Sequence, residues 1–279
     1  MPSQLLPTEA RSQNPAGSPL AYAINQRDRD VLNMVENALR QKRAMLAFQP
    51  VVLAKDDTPI AFYEGLIRIM DDTGRIIPAR DFINVIETHE IGRVIDCLAL
   101  EKGFEALLDE PSLRLSINMS ARSVGYLRWI RTLENGFRKD PTAAERLILE
   151  ITETSAMLMP ELVISFMEEL QKQGVSFALD DFGSGYTAFR HLRDFYFDII
   201  KIDGQFIRGV HNNPDNQILT KALIGIAKQF EMFTVAESVE SADDVAFLAE
   251  TGIDCMQGYY FGAPTTTPPW QLPRSKRTA

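Results

Sequence analysis

The 279-residue sequence has no apolar run approaching the ~18 residues that a membrane-spanning helix needs. Its opening, MPSQLLPTEARSQNPAGSP, lacks the basic start and apolar centre of a signal peptide. No membrane insertion is therefore expected, and a cytoplasmic location is the default. There are two cysteines, Cys97 and Cys255, far apart and outside any CxxC spacing, which offers neither a disulfide framework nor a thiolate zinc site. Both are expected in the core. Histidine is scarce too, with His89, His191 and His211 alone. GxGxxG, GxxxxGK(S/T) and GxSxG are all missing, so nicotinamide, P-loop and nucleophile-elbow readings have no support. Positive charge is in deficit: 29 Lys and Arg stand against 38 Asp and Glu, a formal charge of −9. That balance argues against a phosphate-backbone surface and so against polymeric DNA or RNA as a partner. A small phosphorylated ligand stays compatible with it if metal ions and a few local cations reverse the field within a pocket.

What is present is the composition of an ordinary globular chain, 45% hydrophobic and 24% charged. Residues 1–27 are rich in Pro, Ser, Gln and Ala and read as a flexible tail, as do residues 266–279. Between them, residues 28–265 read as one domain. It opens with an amphipathic helix in which Val31, Met34, Val35 and Leu39 fall at helical spacing. Eight apolar runs rich in branched and aromatic residues then alternate with helix-like segments: MLAFQPVVL, AFYEGLIRI, LRLSINMS, RLILEITE, VSFALDDFG, FDIIKID, MFTVAESVE and IDCMQGYYF. Such alternation predicts an α/β fold with a largely parallel sheet, and eight strands over about 230 residues fit a (β/α)8 barrel better than an open sheet.

Polar residues interrupt these runs at their ends. Glu64, Asn118, Glu150, Asp180 with Asp181, Lys201, Glu237 and Gln257 each follow an apolar stretch. In a barrel the strand ends meet at one mouth, so these side chains would converge. Singly, each acid reads as a solvated strand end or a helix cap; as a set they would repel strongly unless cations compensate. Oxygen ligands without His or thiolate favour hard ions such as Mg2+ or Mn2+ over zinc. The three histidines sit outside these strand ends and read as surface or packing residues.

In order and spacing, FQPVV, EGLIR, PARDFI, SINMSARS, LEITET, ALDDFGSGY, DIIKIDGQFI, VAESVES and MQGYYFGAP resemble the EAL domain family of cyclic di-GMP phosphodiesterases, from about Leu46 to Pro264. The resemblance implies a modified (β/α)8 barrel, TIM-like but with its first strand antiparallel. It implies hydrolysis of cyclic di-GMP to linear pGpG with two divalent cations, Mg2+ or Mn2+. Glu64, Asn118, Glu150 and Asp180 would ligate one ion; Asp181 and Glu237 would serve the second and its water. Lys201 and Gln257 would complete the catalytic centre, and Glu153 would tether the DDFG loop. Arg68 would contact substrate phosphate, with Gln49 and Leu66 also on the substrate side. A homodimer is a further implied partner arrangement.

The chain departs from the family pattern in three places. It has EGL for EAL, which leaves the Glu64 carboxylate in place; AESVE for AEGVE, which puts Ser238 where glycine is usual; and Thr187 and Ala188 in place of two serines after GY. Two other functions compete: a catalytically silent module that binds cyclic di-GMP or a protein partner, and a barrel enzyme using divalent metal for enolisation or lyase chemistry.

Overall fold

The computed structural model describes residues 18–55, 57–184 and 192–272. Its strands are β1 (Ala44–Leu53), β2 (Ile60–Met70), β3 (Ile76–Pro78), β4 (Leu115–Asn118), β5 (Leu147–Thr152), β6 (Ser176–Phe182), β7 (Ile199–Ile202), β8 (Phe233–Ala236) and β9 (Cys255–Gln257). They pair in the order β1-β9-β8-β7-β6-β5-β4-β2, and β2 returns to β1, so eight strands close into a barrel. β1 is antiparallel to both of its neighbours, β2 and β9, while β2 and β4 to β9 run parallel to one another. These eight are the eight apolar runs of the sequence. The ninth, β3, lies outside the barrel and pairs antiparallel with the far half of β2, Arg68 opposite Pro78.

Helices Leu127–Lys139, Pro160–Gln171, Pro214–Gln229 and Ala242–Thr251 follow β4, β5, β7 and β8, and Glu90–Asp109 follows β3. Their starts are written locally. Asn213 and Ser241 accept from the backbone N–H of Asn216 and Asp244, and proline opens the helices at 160 and 214, where its missing N–H costs nothing.

Two cores result from the two-residue period of the strands. Outward-facing Leu149, Ile151, Phe177, Leu179, Ile200 and Ile202 pack under the helices in the large core. Inward-facing Val51, Phe62, Ile148, Ala178, Ile199, Val235 and Cys255 fill the lumen as a separate layer. Two residues farther along most of these strands come Glu64, Glu150, Asp180, Lys201, Glu237 and Gln257, so one layer of apolar side chains is the floor on which the polar layer stands. Cys97 and Cys255 are both buried.

Two boundaries differ from the sequence reading. The leading helix spans Pro19–Arg40 rather than starting at Asp28, because Ser18 caps it by accepting from Ala21 N at 3.0 Å and Pro19 stands in its first turn. Residues 18–27, read above as tail, thus belong to this helix and its cap. At the other end, residues 266–272 are not all tail: Trp270 packs edge-on against Phe48 at 5.0 Å and Tyr63 at 4.9 Å. The backbone of Thr265 also exchanges hydrogen bonds with Phe48, fixing the chain just before this strap.

Gly258, immediately after β9, shows how tightly the mouth is assembled. A Cβ there would lie 2.0 Å from Val239 O and 2.3 Å from Val239 N, both backbone atoms that cannot step aside. Gly258→Ala is expected to destabilise the fold by about 3 kcal/mol, a drop in Tm of roughly 6–12 °C for a chain of this size. A thermal melt unchanged within 2 °C of the parent would, on the same scale, mean that the 237–240 loop yields freely.

Candidate functional site

The polar layer centres on Lys201, which is 1% exposed. Its Nζ lies 2.8 Å from Glu150 Oε2, 2.8 Å from Glu237 Oε1, 3.1 Å from Asp180 Oδ1 and 3.4 Å from Glu64 Oε2. Residues from β2, β5, β6, β7 and the end of β8 thus meet at one ammonium. Glu64 is braced from the other side: Asn118 Nδ2 donates to Oε1 at 2.8 Å and Gln257 Nε2 to Oε2 at 2.6 Å. Gln257 Nε2 also reaches Gln49 Oε1 at 3.2 Å, and Gln49 donates to Gly262 O at 3.1 Å, so a chain of amides ties β1 and β9 to Glu64.

Strand alternation would turn adjacent residues to opposite faces, yet Asp180 and Asp181 both serve this mouth. The β6–β7 register shifts between Leu179 and Phe182, and Asp181 adopts a left-handed backbone with φ 56°. That bulge redirects the second carboxylate. Carboxylate oxygens of Asp180, Asp181 and Glu237 come within 4.8 Å of one another. Past the bulge, Gly183 N donates to Glu153 Oε2 at 2.9 Å, anchoring β6 to the short helix that follows β5.

Leu66 and Arg68 share the face of β2 that carries Glu64, two and four residues beyond it. Arg68 is half-buried, and its Nη1 donates to Ile67 O at 3.0 Å. Of the three predicted substrate-side residues, Arg68 and Leu66 flank the acidic centre, whereas Gln49 is tied into it through Gln257. His89 is exposed at a helix start, and His211 pairs through Nδ1 with Asp244 at 2.7 Å; neither joins the mouth. Thr187, Ala188 and His191 lie outside the described residues.

One member of the site was missed in the sequence reading. Asp203 shares a hydrogen bond with the Asp181 carboxyl and also accepts from Gln205 N at 2.7 Å. The signal was available: Asp203 stands two residues after Lys201 in DIIKID, on the same face of the extended chain.

Electrostatically the mouth is short of positive charge. Burial, then the neighbouring Glu64, pushes the Glu150 carboxyl up to about 8. Burial, then Asp180, pushes Asp181 up to about 6. Burial also drives Glu237 well above its usual range. Burial acts on Glu64 in the same direction, but the Lys201 charge and the hydrogen bonds from Gln257 and Asn118 outweigh it and hold the group low. For Lys201 burial opposes the charge, and the surrounding acids more than restore it. The donor set fits a hard divalent cation: it consists of oxygens, and Glu150 Oε1 and Gln257 Oε1 are buried without a hydrogen-bond partner among the described residues. Asp180 Oδ1, in ion-pair range of Lys201, likewise forms no hydrogen bond.

A pH dependence follows. Glu150 moves from 4.5 to about 8 and Asp181 from 3.8 to about 6, so the folded state binds more protons than the unfolded one in between. Without cations, stability is expected to fall as pH rises from about 4 to about 8, and added Mg2+ should raise Tm more at pH 8 than at pH 5.5. Melts in chelator and in Mg2+ across that range test this. An equal Mg2+ effect at both ends would mean that the ion binds away from these acids.

The model of the family described as EAL domain matches residues 32–264. Cyclic di-GMP phosphodiesterase PdeF of Escherichia coli strain K12 is 29% identical over 238 residues, which are 84% of this chain and 32% of that protein. The chain thus spans about a third of that relative's length. Among solved structures, the PaMucR phosphodiesterase in complex with c-di-GMP superposes with a TM-score of 0.74 at 26% identity, over 85% of this chain and 97% of that one. The FimX EAL domain of Pseudomonas aeruginosa bound to c-di-GMP gives 0.75 at 26% identity over the same shares.

Proposed function

The chain belongs to the EAL domain family, and we propose that it is a cyclic di-GMP phosphodiesterase yielding linear pGpG, with two divalent cations, Mg2+ or Mn2+, as cofactors. The observation that carries this reading is the buried mouth itself, where Glu64, Glu150, Asp180 and Glu237 surround Lys201 and Asp181 lies beside them. So many carboxylates gathered on separate strands raise one another's proton affinity and gain nothing structurally unless a cation is to be held.

Glu64, Asn118, Glu150, Asp180, Asp181 and Glu237 would hold the ions, Asn118 through the amide oxygen left free when its nitrogen donates to Glu64. When bound, the ions supply water activation and neutralise phosphate charge. The chain's own groups do the rest. Arg68 offers a guanidinium fork to the phosphate oxygens, at the rim above Glu64. Asp181 orients the water and takes its proton as the water oxygen bonds to phosphorus. The P–O3′ bond breaks in line, and O3′ takes a proton from solvent. Lys201, held protonated by four acids, stabilises the charge that develops. Gln257 and Gln49 keep the Glu64 carboxylate in one orientation, while Glu153 fixes the backbone where β6 leaves the barrel.

Chromatography of purified protein with cyclic di-GMP in Mg2+, Mn2+ or chelator tests the reading. pGpG appearing only with metal supports it. Tight binding of cyclic di-GMP without turnover under every metal condition would make the chain a receptor instead, a role consistent with a relative described only as bound to the ligand.

A further inference from the structure

The loop after β8 is held at both ends. Glu237 N donates to Ile202 O at 3.2 Å, toward β7, and Val239 N donates to Gln257 O at 2.9 Å, toward β9. The residue between them must turn sharply, and Ser238 does so with φ 57°, a left-handed conformation that ordinarily belongs to glycine. A serine held there needs something to hold it. The structure supplies it: Arg208 Nη2 donates to Ser238 Oγ at 3.0 Å, and Arg208 Nε lies 3.9 Å from Glu240. Arg208 follows the helical turn Gly204–Ile207, just beyond Lys201 and Asp203.

Gly204 completes the fit. A Cβ there would lie 2.5 Å from Ser238 Oγ, 2.7 Å from Ser238 Cβ and 3.1 Å from Arg208 Nη2. Its φ is not left-handed, so glycine serves at 204 by leaving room for the serine side chain. Three residues from two loops are therefore adapted to one another, and the loop they lock begins with Glu237.

We propose that Ser238 and Arg208 form a clasp between the β7 and β8 loops that positions Glu237 for cation binding. This rests on the reading of the acidic mouth as a cation site. Ser238 and Arg208 are positioning residues: they act through Glu237. The clasp makes a prediction opposite in sign to simple electrostatics. Arg208→Ala removes a positive charge near an acidic centre, which by charge alone would tighten cation binding. The clasp requires that it weaken.

The test is calorimetric titration of the metal-free chain with Mn2+, in the absence of substrate, for the parent, Arg208→Ala, Ser238→Gly and the double variant. Arg208 is exposed, so its removal should leave the fold intact, as a thermal melt will check. Arg208→Ala is expected to weaken Mn2+ binding by about tenfold, the lower end of what groups orienting a ligand contribute. In the Ser238→Gly background, where the turn no longer needs holding, the same substitution should change affinity by less than about twofold, a non-additivity that marks coupled residues. Tighter binding in Arg208→Ala, or an equal change in both backgrounds, would overturn the clasp. No Mn2+ binding by the parent protein would overturn the cation-site reading beneath it, and the clasp with it.

Discussion

Lys201→Met is expected to lower the Tm of the metal-free protein by roughly 10 °C at pH 8, and by much less at pH 5.5. Among the described residues, the ammonium is the one group that contacts Glu64, Glu150, Asp180 and Glu237 together, at distances from 2.8 to 3.4 Å. Methionine keeps most of the volume and removes the charge. Breaking a buried ion pair from one side typically costs about 3–5 kcal/mol, and each kcal/mol is about 2–4 °C in a chain of this size.

The pH dependence of that loss has a definite sign. Without Lys201, Glu150 and Glu237 lose the neighbouring charge that lowers their proton affinity, so their folded values rise further above their unfolded ones. A raised carboxyl contributes a penalty that is absent at low pH and grows as pH climbs through the folded value. At pH 5.5 the acids hold protons and the missing ammonium matters little; at pH 8 they cannot all do so. Saturating Mg2+ should recover part of the loss, because a cation replaces a cation. A Tm difference equal at both pH values, and indifferent to Mg2+, would show that Lys201 acts through packing rather than charge.

How much of this was legible in the sequence depends on the distance over which each feature is determined. The barrel strands were readable because each is a continuous apolar run, the mark of a strand covered on both faces. The site was readable because its acids sit one pleat beyond those runs, in Glu64 after AFY and Glu150 after LIL. The antiparallel β1 was not readable from periodicity, since an apolar run carries no direction; it came from resemblance, and the pairings of β1 with β2 and β9 establish it. Strand β3 escaped notice because IIP is three residues long and held only by the overhang of β2. Trp270 looked like tail because the aromatic shelf that receives it, Phe48 and Tyr63, lies some 200 residues away in sequence. The bulge at Asp181 is a compromise between two strands, visible only when both are in place.

Asp181→Asn is expected to reduce turnover of cyclic di-GMP by about a thousandfold, within the 10²–10⁴ range of a positioned general base, while leaving the fold and substrate affinity close to those of the parent. Three features single it out among the acids. It is not among the four carboxylates in ion-pair range of the Lys201 ammonium, so its loss leaves those four contacts in place. In the metal-free protein, burial, then Asp180 and Asp203, lifts its carboxyl to about 6, so the site around it favours the protonated form more than water does. Its left-handed backbone is a local cost, of the kind that collects where a side chain must be aimed. Asparagine is nearly isosteric and tolerates that backbone better than most residues, so the substitution isolates the proton-accepting role. If the variant turned over within tenfold of the parent, the base would have to be sought among Glu237 and Asp203. Because Asp181 is also placed among the cation-holding groups, Mn2+ titration of the variant separates the two roles: an affinity lowered by no more than about tenfold beside the loss of turnover keeps the base role, and a comparable loss of both leaves the ligand role alone.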